Sequence, residues 1–502
     1  MRRFVRWGRF IALVACLIFV AAGVVQAAPA PPPTLRLRRS VAEITVPRFG
    51  TSVFIDGGTY VESVNGAFEL RARRADYDEP IVVEQAIASP GGKVSYRSLP
   101  ELSPSSFARA LEDFFHLRLS TDAGDVVFKG DTGFCPNGYD RVRVDGSGPA
   151  RLLYPDGCFT NQWTLGATWG IEQGWASGAT DEFSFEGPDG HYQLRVSVNE
   201  PYRTLFGVDP SATTVGVTIK TDPCCTGGSG SARSSSAPVD HGSAIRPRSS
   251  AVGAPYAAPT GATIPKADAL PDLIATPAWR MQTENQATGD FLDFAAMVWD
   301  RGPSPLVVEG FRPTDADYMN AYQYFYKDGQ RVGEAPVGTF EFDARPGHEH
   351  WHFEDFARYV LTDSSKTTVV RSQKEAFCLA ATDAMDLSVP GAAWRPFDTD
   401  PSSSCGTPTS IWIREVLNAG WGDTYTQSLP GQSFDITGLA NGTYYVKIIA
   451  NPRHVLYEST LANNVSYRRV VLGGVPGART VRVSPYHGLH TERPCFPFCD
   501  IG

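Results

Sequence analysis

Short runs in which apolar and polar side chains alternate, such as HYQLRVSVN from His191 and TYYVKIIAN from Thr443, recur along the chain between glycine-bearing turns. Alternation with a period of two puts one set of side chains on one face of an extended strand. Runs rich in Val, Thr, Tyr and Phe also favour sheet over helix. The pattern predicts an all-β chain whose antiparallel strands stack in two layers, as in a β-sandwich. At 502 residues the chain exceeds one ordinary core, and its 42% hydrophobic content is enough for real cores. Two domains of about 150–200 residues each are expected.

The first residues break this pattern. Arginines at 2, 3, 6 and 9 precede an apolar run and then small residues, with a plausible cleavage point after Ala27. This is the layout of an export signal, so a secreted or cell-surface protein is expected. The alternative, lipid anchoring at Cys16, is disfavoured because the apolar run continues beyond it. Past the signal stand eight cysteines, Cys135, Cys158, Cys224, Cys225, Cys378, Cys405, Cys495 and Cys499, an even set that suits disulfides outside the cytoplasm. A formal net charge of −9 argues against a nucleic-acid partner, because phosphate binding needs a basic surface. It does not identify an oligomeric state.

From Cys224 to about Asp268 the chain is rich in Gly, Ser, Ala and Pro, a composition too poor in large apolar side chains to fold alone. Read as a disordered linker, it separates two blocks that share anchors in one order. EPIVVEQ from Glu79 parallels SPLVVEG from Ser304, and LEDFF from Leu111 parallels FEDFA from Phe353. GFC at Cys135 parallels AFC at Cys378, Trp169-Gly170 parallels Trp421-Gly422, and DGHYQLRVSVN parallels NGTYYVKIIAN. The expected organisation is a signal (1–27), an N-terminal β domain (40–222), the linker (223–268), a second β domain (269–474) and a Cys/His-containing tail (475–502). Cys135 with Cys158 and Cys378 with Cys405 are the natural internal bridges.

One stretch of the second block has no equivalent chemistry in the first. GHEHWHFEDFARYVL, 347–361, holds His348, His350 and His352, three of nine histidines, where the first block has Ser106, Ala108 and Ala110. On a strand these imidazoles share a face and can converge on one ion. Neutral imidazole suits copper, zinc, iron or nickel. Two readings of such a cluster are a cupin-type enzyme, weakened because the next histidine, His454, comes about a hundred residues later, and a cell-surface binding protein holding zinc.

The pieces downstream narrow this choice. PDL (271–273), HEHWH, KEAFCL (374–379), GDTY (422–425), FDIT, NGTYYVKIIANP and YESTLANN (457–464) arrive in the order seen in the lysyl oxidase family, which residues 270–472 resemble. The resemblance implies copper held by His348, His350 and His352, and a lysine tyrosylquinone formed from Lys374 and Tyr425. It implies oxidation of a primary amine, a peptidyl lysine or small diamine, by molecular oxygen to an aldehyde, with release of hydrogen peroxide and ammonia. Asp423 is the candidate base. In the first block Asp131 stands for Lys374 and Gln173 for Tyr425, so that block resembles a degenerate copy suited to docking substrate, shielding the second domain or associating with a wall or cell surface.

The resemblance also implies a calcium site from Asp272, the Leu273 carbonyl, Glu458, Asn463 and Asn464, oxygen donors that suit a hard cation. Thr460 stands where the family often has Asp, which lowers the expected affinity. In the tail, His487 and His490 lie near Cys495 and Cys499, where a disulfide is favoured over zinc.

Overall fold

A computed structural model describes residues 31–221 and 258–492, apart from 49–50, 90–91, 108–109, 159, 180–182, 346–348, 373, 375 and 399–401. The proposed signal, most of the linker, Cys224, Cys225, Cys495, Cys499 and His348 lie outside the described residues. Among those described, no helix is long and apolar enough to cross a membrane.

The chain is all-β. Its regular helical content is one short helix, Tyr202–Leu205, and two 3-10 turns among the described residues. Alternation is realised as burial: in Gly442–Ala450 the side chains of Tyr444, Val446, Ile448 and Ala450 face the core, and in Gly190–Val198 those of Tyr192, Leu194, Val196 and Val198 do so. Each half has its own apolar core, one built around Phe68, Phe114, Phe115 and Trp169 and the other around Phe294, Trp351, Phe353 and Phe377.

Each half contains a five-stranded sheet. In the first, Val126–Phe134, Leu111–Thr121, Gly190–Val198 and Thr213–Thr221 are neighbours in that order, and in the second the same order runs Thr368–Arg371, Ala357–Thr362, Gly442–Ala450 and Val465–Val475. The fifth strand differs, because Glu43–Arg48 joins in parallel whereas Ala478–Arg482 closes a hairpin. Local detail repeats too. Asp113 and Asp355 both adopt positive φ, at 51° and 65°. The next residue in each case accepts a backbone hydrogen bond from an asparagine, Asn199 to Phe114 and Asn451 to Phe356.

Strand register revises two of the sequence anchors. Gly174-Trp175 matches Gly420-Trp421: both glycines have positive φ (72° and 84°), and each tryptophan amide donates three residues back, to Glu172 and Asn418. Trp169 therefore occupies the position of Glu415, and Ala179, rather than Gln173, that of Tyr425. The segment VVE at 82–84 lies one strand further from this turn than VVE at 307–309 does, so those two runs are not equivalent. Both misplacements come from similar strand compositions, which hydrogen-bond register distinguishes and residue identity does not.

The halves pack directly on one another. Trp163 inserts among Trp279, Ala295, Met297, Trp299 and Met385. The Leu165 amide donates to the Met385 carbonyl at 2.7 Å, and Leu387 returns a bond to Gly166 at 3.0 Å, forming a parallel bridge. Arg395 donates to the Tyr154 carbonyl and the Asp156 carboxylate at 3.1 and 2.6 Å, with Trp394 stacked on Tyr154. The C-terminal end of the stretch read as a linker is ordered onto the second half: Thr263 bridges to Glu334, and Asp268 pairs with Lys327 at 2.7 Å.

Candidate active site

The strand Trp421–Tyr425 runs between Gly289–Asp300 and Asp383–Ala384, so all five of its residues are buried. Period-two geometry puts Asp423 and Tyr425 on one face. Lys374 reaches the same face from the turn between Thr368–Arg371 and Ala376–Phe377. That turn is pinned where Ser372 Oγ accepts from the Lys374 amide at 3.0 Å and donates to the Gly431 carbonyl at 2.9 Å.

The structure brings Lys374 and Tyr425 together. Lys374 Nζ lies 4.5 Å from the centre of the Tyr425 ring and 5.1 Å from that of Phe377. Lys374 is 4% exposed and Tyr425 9%. Burial disfavours the ammonium and lowers the lysine to about 8, although the Asp423 carboxylate pulls the other way. Burial also raises the Tyr425 hydroxyl and the Asp423 carboxyl well above their ordinary values, Lys374 opposing the latter shift. Asp423 Oδ2 is buried without a hydrogen-bond partner.

The sequence reading missed Glu415. It is fully buried, accepts from the Leu379 amide at 3.0 Å, leaves Oε1 unpartnered and is pushed well up by burial. Its signal was present: a carboxylate inside the otherwise strand-like IWIREVL run needs a reason to be there.

His350 and His352 lie on the strand His350–Glu354, which pairs with Ala376–Phe377 just beyond Lys374, and they stand opposite Asp343 and Glu341. Their Nε2 atoms approach to 3.0 Å, and Nδ1 of His352 is 3.7 Å from Asp343. Burial pushes the Asp343 carboxyl up, but the hydrogen bonds and charge of Arg345 outweigh this and hold it well below the usual range. The Cys378–Cys405 disulfide links this strand to the tyrosine. The Cys405 carbonyl accepts from Trp351, between the two histidines, at 2.9 Å, and the Cys378 carbonyl accepts from the Tyr425 hydroxyl at 3.1 Å. Cys378, Cys405 and Glu415 converge within 4.8 Å, but sulfurs bonded to each other are not thiolate ligands. The first half carries the matching Cys135–Cys158 bridge.

The residues that the resemblance implied for calcium also converge. Glu458 accepts from the amide of Leu273 and from the side chains of Asn451 and Asn464, while Asn463 donates to Asp272 at 3.0 Å. The side-chain oxygens of Asn463 and Asn464 are buried without partners. In the tail, His487 stands 3.8 Å from Asp78 of the first half, within a group that includes Asp76.

Residues 335–476 match the lysyl oxidase family. The matched span contains the histidine strand, Lys374, Glu415, Asp423 and Tyr425. The chain is 31% identical over 171 residues to protein-lysine 6-oxidase of Gallus gallus, covering 32% of this chain and 36% of that protein. It is 32% identical over 120 residues to protein-lysine 6-oxidase of Sus scrofa, covering 24% and 42%. Lysyl oxidase homolog 1 of Homo sapiens is 28% identical over 120 residues, covering 24% and 18%. The chain thus spans less than half the length of these relatives. The similarity thus lies in residues 335–476 of the second half, and the first half lies outside that matched span.

Proposed function

We propose that the chain is an exported, copper-dependent amine oxidase that converts primary amines, peptidyl lysine among them, to aldehydes with release of hydrogen peroxide and ammonia. The observation that carries this reading is the buried Lys374 amine held 4.5 Å from the Tyr425 ring. Burying an amine against a phenol is costly unless the pair has a use, and their covalent union as lysine tyrosylquinone is that use.

The histidine strand fits copper. The Nε2 atoms of His350 and His352 approach to 3.0 Å, so both would be able to hold one ion, and imidazole donors suit copper. His348 is assigned as the third ligand. Bound copper would supply one-electron chemistry with oxygen for maturation of the tyrosine. Every other task falls to the chain. Lys374, lowered to about 8, has an unprotonated fraction able to act as a nucleophile near neutral pH. Asp423, raised by burial and with one oxygen unpartnered, is placed to take a proton from carbon near the ring. Glu415 is a second buried carboxyl near this group, and burial favours its neutral form.

The oxygen donors of Asp272, Glu458, Asn463 and Asn464, with two orphaned amide oxygens among them, fit a calcium ion that would tie the start of the second half to its end. The shared strand order and the absence of the histidines, lysine and tyrosine from the first half support its reading as a copy that kept the scaffold and lost the redox chemistry.

The test is peptide mass spectrometry after copper loading in air. A covalent link between the Lys374 and Tyr425 peptides is expected, together with amine-dependent hydrogen peroxide release that Tyr425→Phe and His350→Ala abolish. Retained oxidase activity in Tyr425→Phe would end the quinone reading. A zinc-holding binding protein would show neither link nor peroxide.

A further inference from the structure

The contact between the halves falls on the strand beside the candidate active site. Gly166–Ile171 is the edge of one sheet of the first half, and Asp383–Ala384 is the edge of the sheet that carries Trp421–Tyr425. The parallel bridge from Gly166 to Asp386 joins these two edges. The Met385 carbonyl accepts from the amides of Leu165 and Gly166, at 2.7 and 3.3 Å, and the Ala384 carbonyl accepts from Thr164 Oγ1 at 2.8 Å. Thr164 is fully buried and commits its hydroxyl to this carbonyl.

The same short strand holds that of Asp423 and Tyr425 from its other side. Asp383 and Ala384 pair with Gly422 and Trp421, and the amides of Met385 and Asp386 donate to the Gly420 carbonyl at 2.8 and 3.0 Å. Thr382 accepts from the Thr424 amide through its hydroxyl at 2.8 Å and donates its own amide to the Gly422 carbonyl at 2.9 Å, so the backbone is gripped before and after Asp423. Packing follows the same route. Trp163 clusters with Met297 and Met385, and a Cβ on Gly422 would collide with Met297 Sδ and stand 3.2 Å from Met385 Cγ. One layer of methionine side chains therefore separates the indole of the first half from the backbone next to Asp423.

We propose that the first half is a positioning subunit of the amine oxidase site. Thr164 and Trp163 hold the strand Asp383–Ala384, which in turn fixes the height and angle at which Asp423 and Tyr425 face Lys374. A half without the redox residues thereby has a task in the chain, since a displacement of about 1 Å between reacting groups is enough to lower a rate about 100-fold. The chemical consequence rests on the quinone reading above, whereas the coupling of Thr164 to the Tyr425 strand stands on hydrogen bonds and packing alone.

The test uses full-length, metal-free protein and backbone hydrogen exchange read by mass spectrometry. Thr164→Val removes the hydroxyl and keeps the shape, and Thr164→Ser restores the donor. In Thr164→Val exchange is expected to rise about tenfold in 382–386 and 421–425 and to stay at the wild-type rate in 306–311 and 465–475, which lie in other sheets. Thr164→Ser should bring it back. Trp163→Phe, a smaller change in the same contact, gives the same reading should Thr164→Val not fold. Unchanged exchange in 421–425 overturns the proposal, as does an equal rise in every sheet, which would mark the contact as general support. On copper loading in air, Thr164→Val should slow formation of the Lys374–Tyr425 link about tenfold while Thr164→Ser does not, and an unaltered rate in Thr164→Val also overturns the proposal. A wild-type chain that forms no link ends the quinone reading and leaves hydrogen exchange to decide the positioning one.

Discussion

Lys374 is where burial becomes chemistry. With its amine lowered to about 8, about a tenth is unprotonated at pH 7 and about three quarters at pH 8.5. Because the unprotonated form is the nucleophile, the rate at which copper-loaded protein acquires the Lys374–Tyr425 link should rise several-fold between these pH values, and a flat or falling profile would show that amine attack is not rate-limiting. Asp423→Asn removes the candidate base while keeping its shape. Amine turnover should fall about 100-fold or more while the covalent link still forms, which separates proton transfer from cofactor assembly in a peroxide assay paired with mass spectrometry. Imidazole spacing alone made the histidine cluster legible. Lys374 and Tyr425 entered through the family resemblance, because a lone lysine and a turn tyrosine are common, and the structure puts Tyr425 on a buried strand instead of in a turn. Glu415 was not legible, since its role depends on facing Leu379 and the disulfide from a distant strand.

Among the elements, the YESTLANN turn and the PDL segment are joined by Glu458, which accepts from Leu273, and by Asn463, which donates to Asp272. A cation there would satisfy the buried oxygens of Asn463 and Asn464. Calcium should therefore raise the melting temperature, and Glu458→Gln should remove that increment; identical melting with calcium and with chelator would exclude the site. Alternation predicted the strands well, because one face of each must reach the core whatever its partners are. It did not yield the pairing of anchors between the halves. The glycines Gly174 and Gly420 share a positive φ, a backbone likeness that is invisible in the sequence, where Trp169-Gly170 offered a competing match.

At the scale of the whole molecule, Trp163 and the bridge from Leu165 to Met385 make the two halves one packed body. Cleavage at a protease site engineered within 223–257 should leave them co-eluting on size exclusion in native buffer. Trp163→Ala, which deletes a fully buried indole at a cost of about 3–5 kcal/mol, should let the cleaved halves separate. Elution of the cleaved wild-type chain as two species would show that the contact is weak. Nothing in the composition of the linker announced this contact, since a flexible tether is compatible with docked and with independent halves alike. By itself the sequence determined the β class, the cysteine pairs 135 with 158 and 378 with 405, and the histidine cluster as a candidate metal site, because each follows from local alternation, spacing or residue type. Only the tertiary structure decided that Lys374 meets Tyr425 in a dry setting and that Glu415 is a second buried carboxyl near them. Those depend on strands distant in the chain being hydrogen-bonded in one register, and a one-residue slip in that register turns each of these side chains to the opposite face.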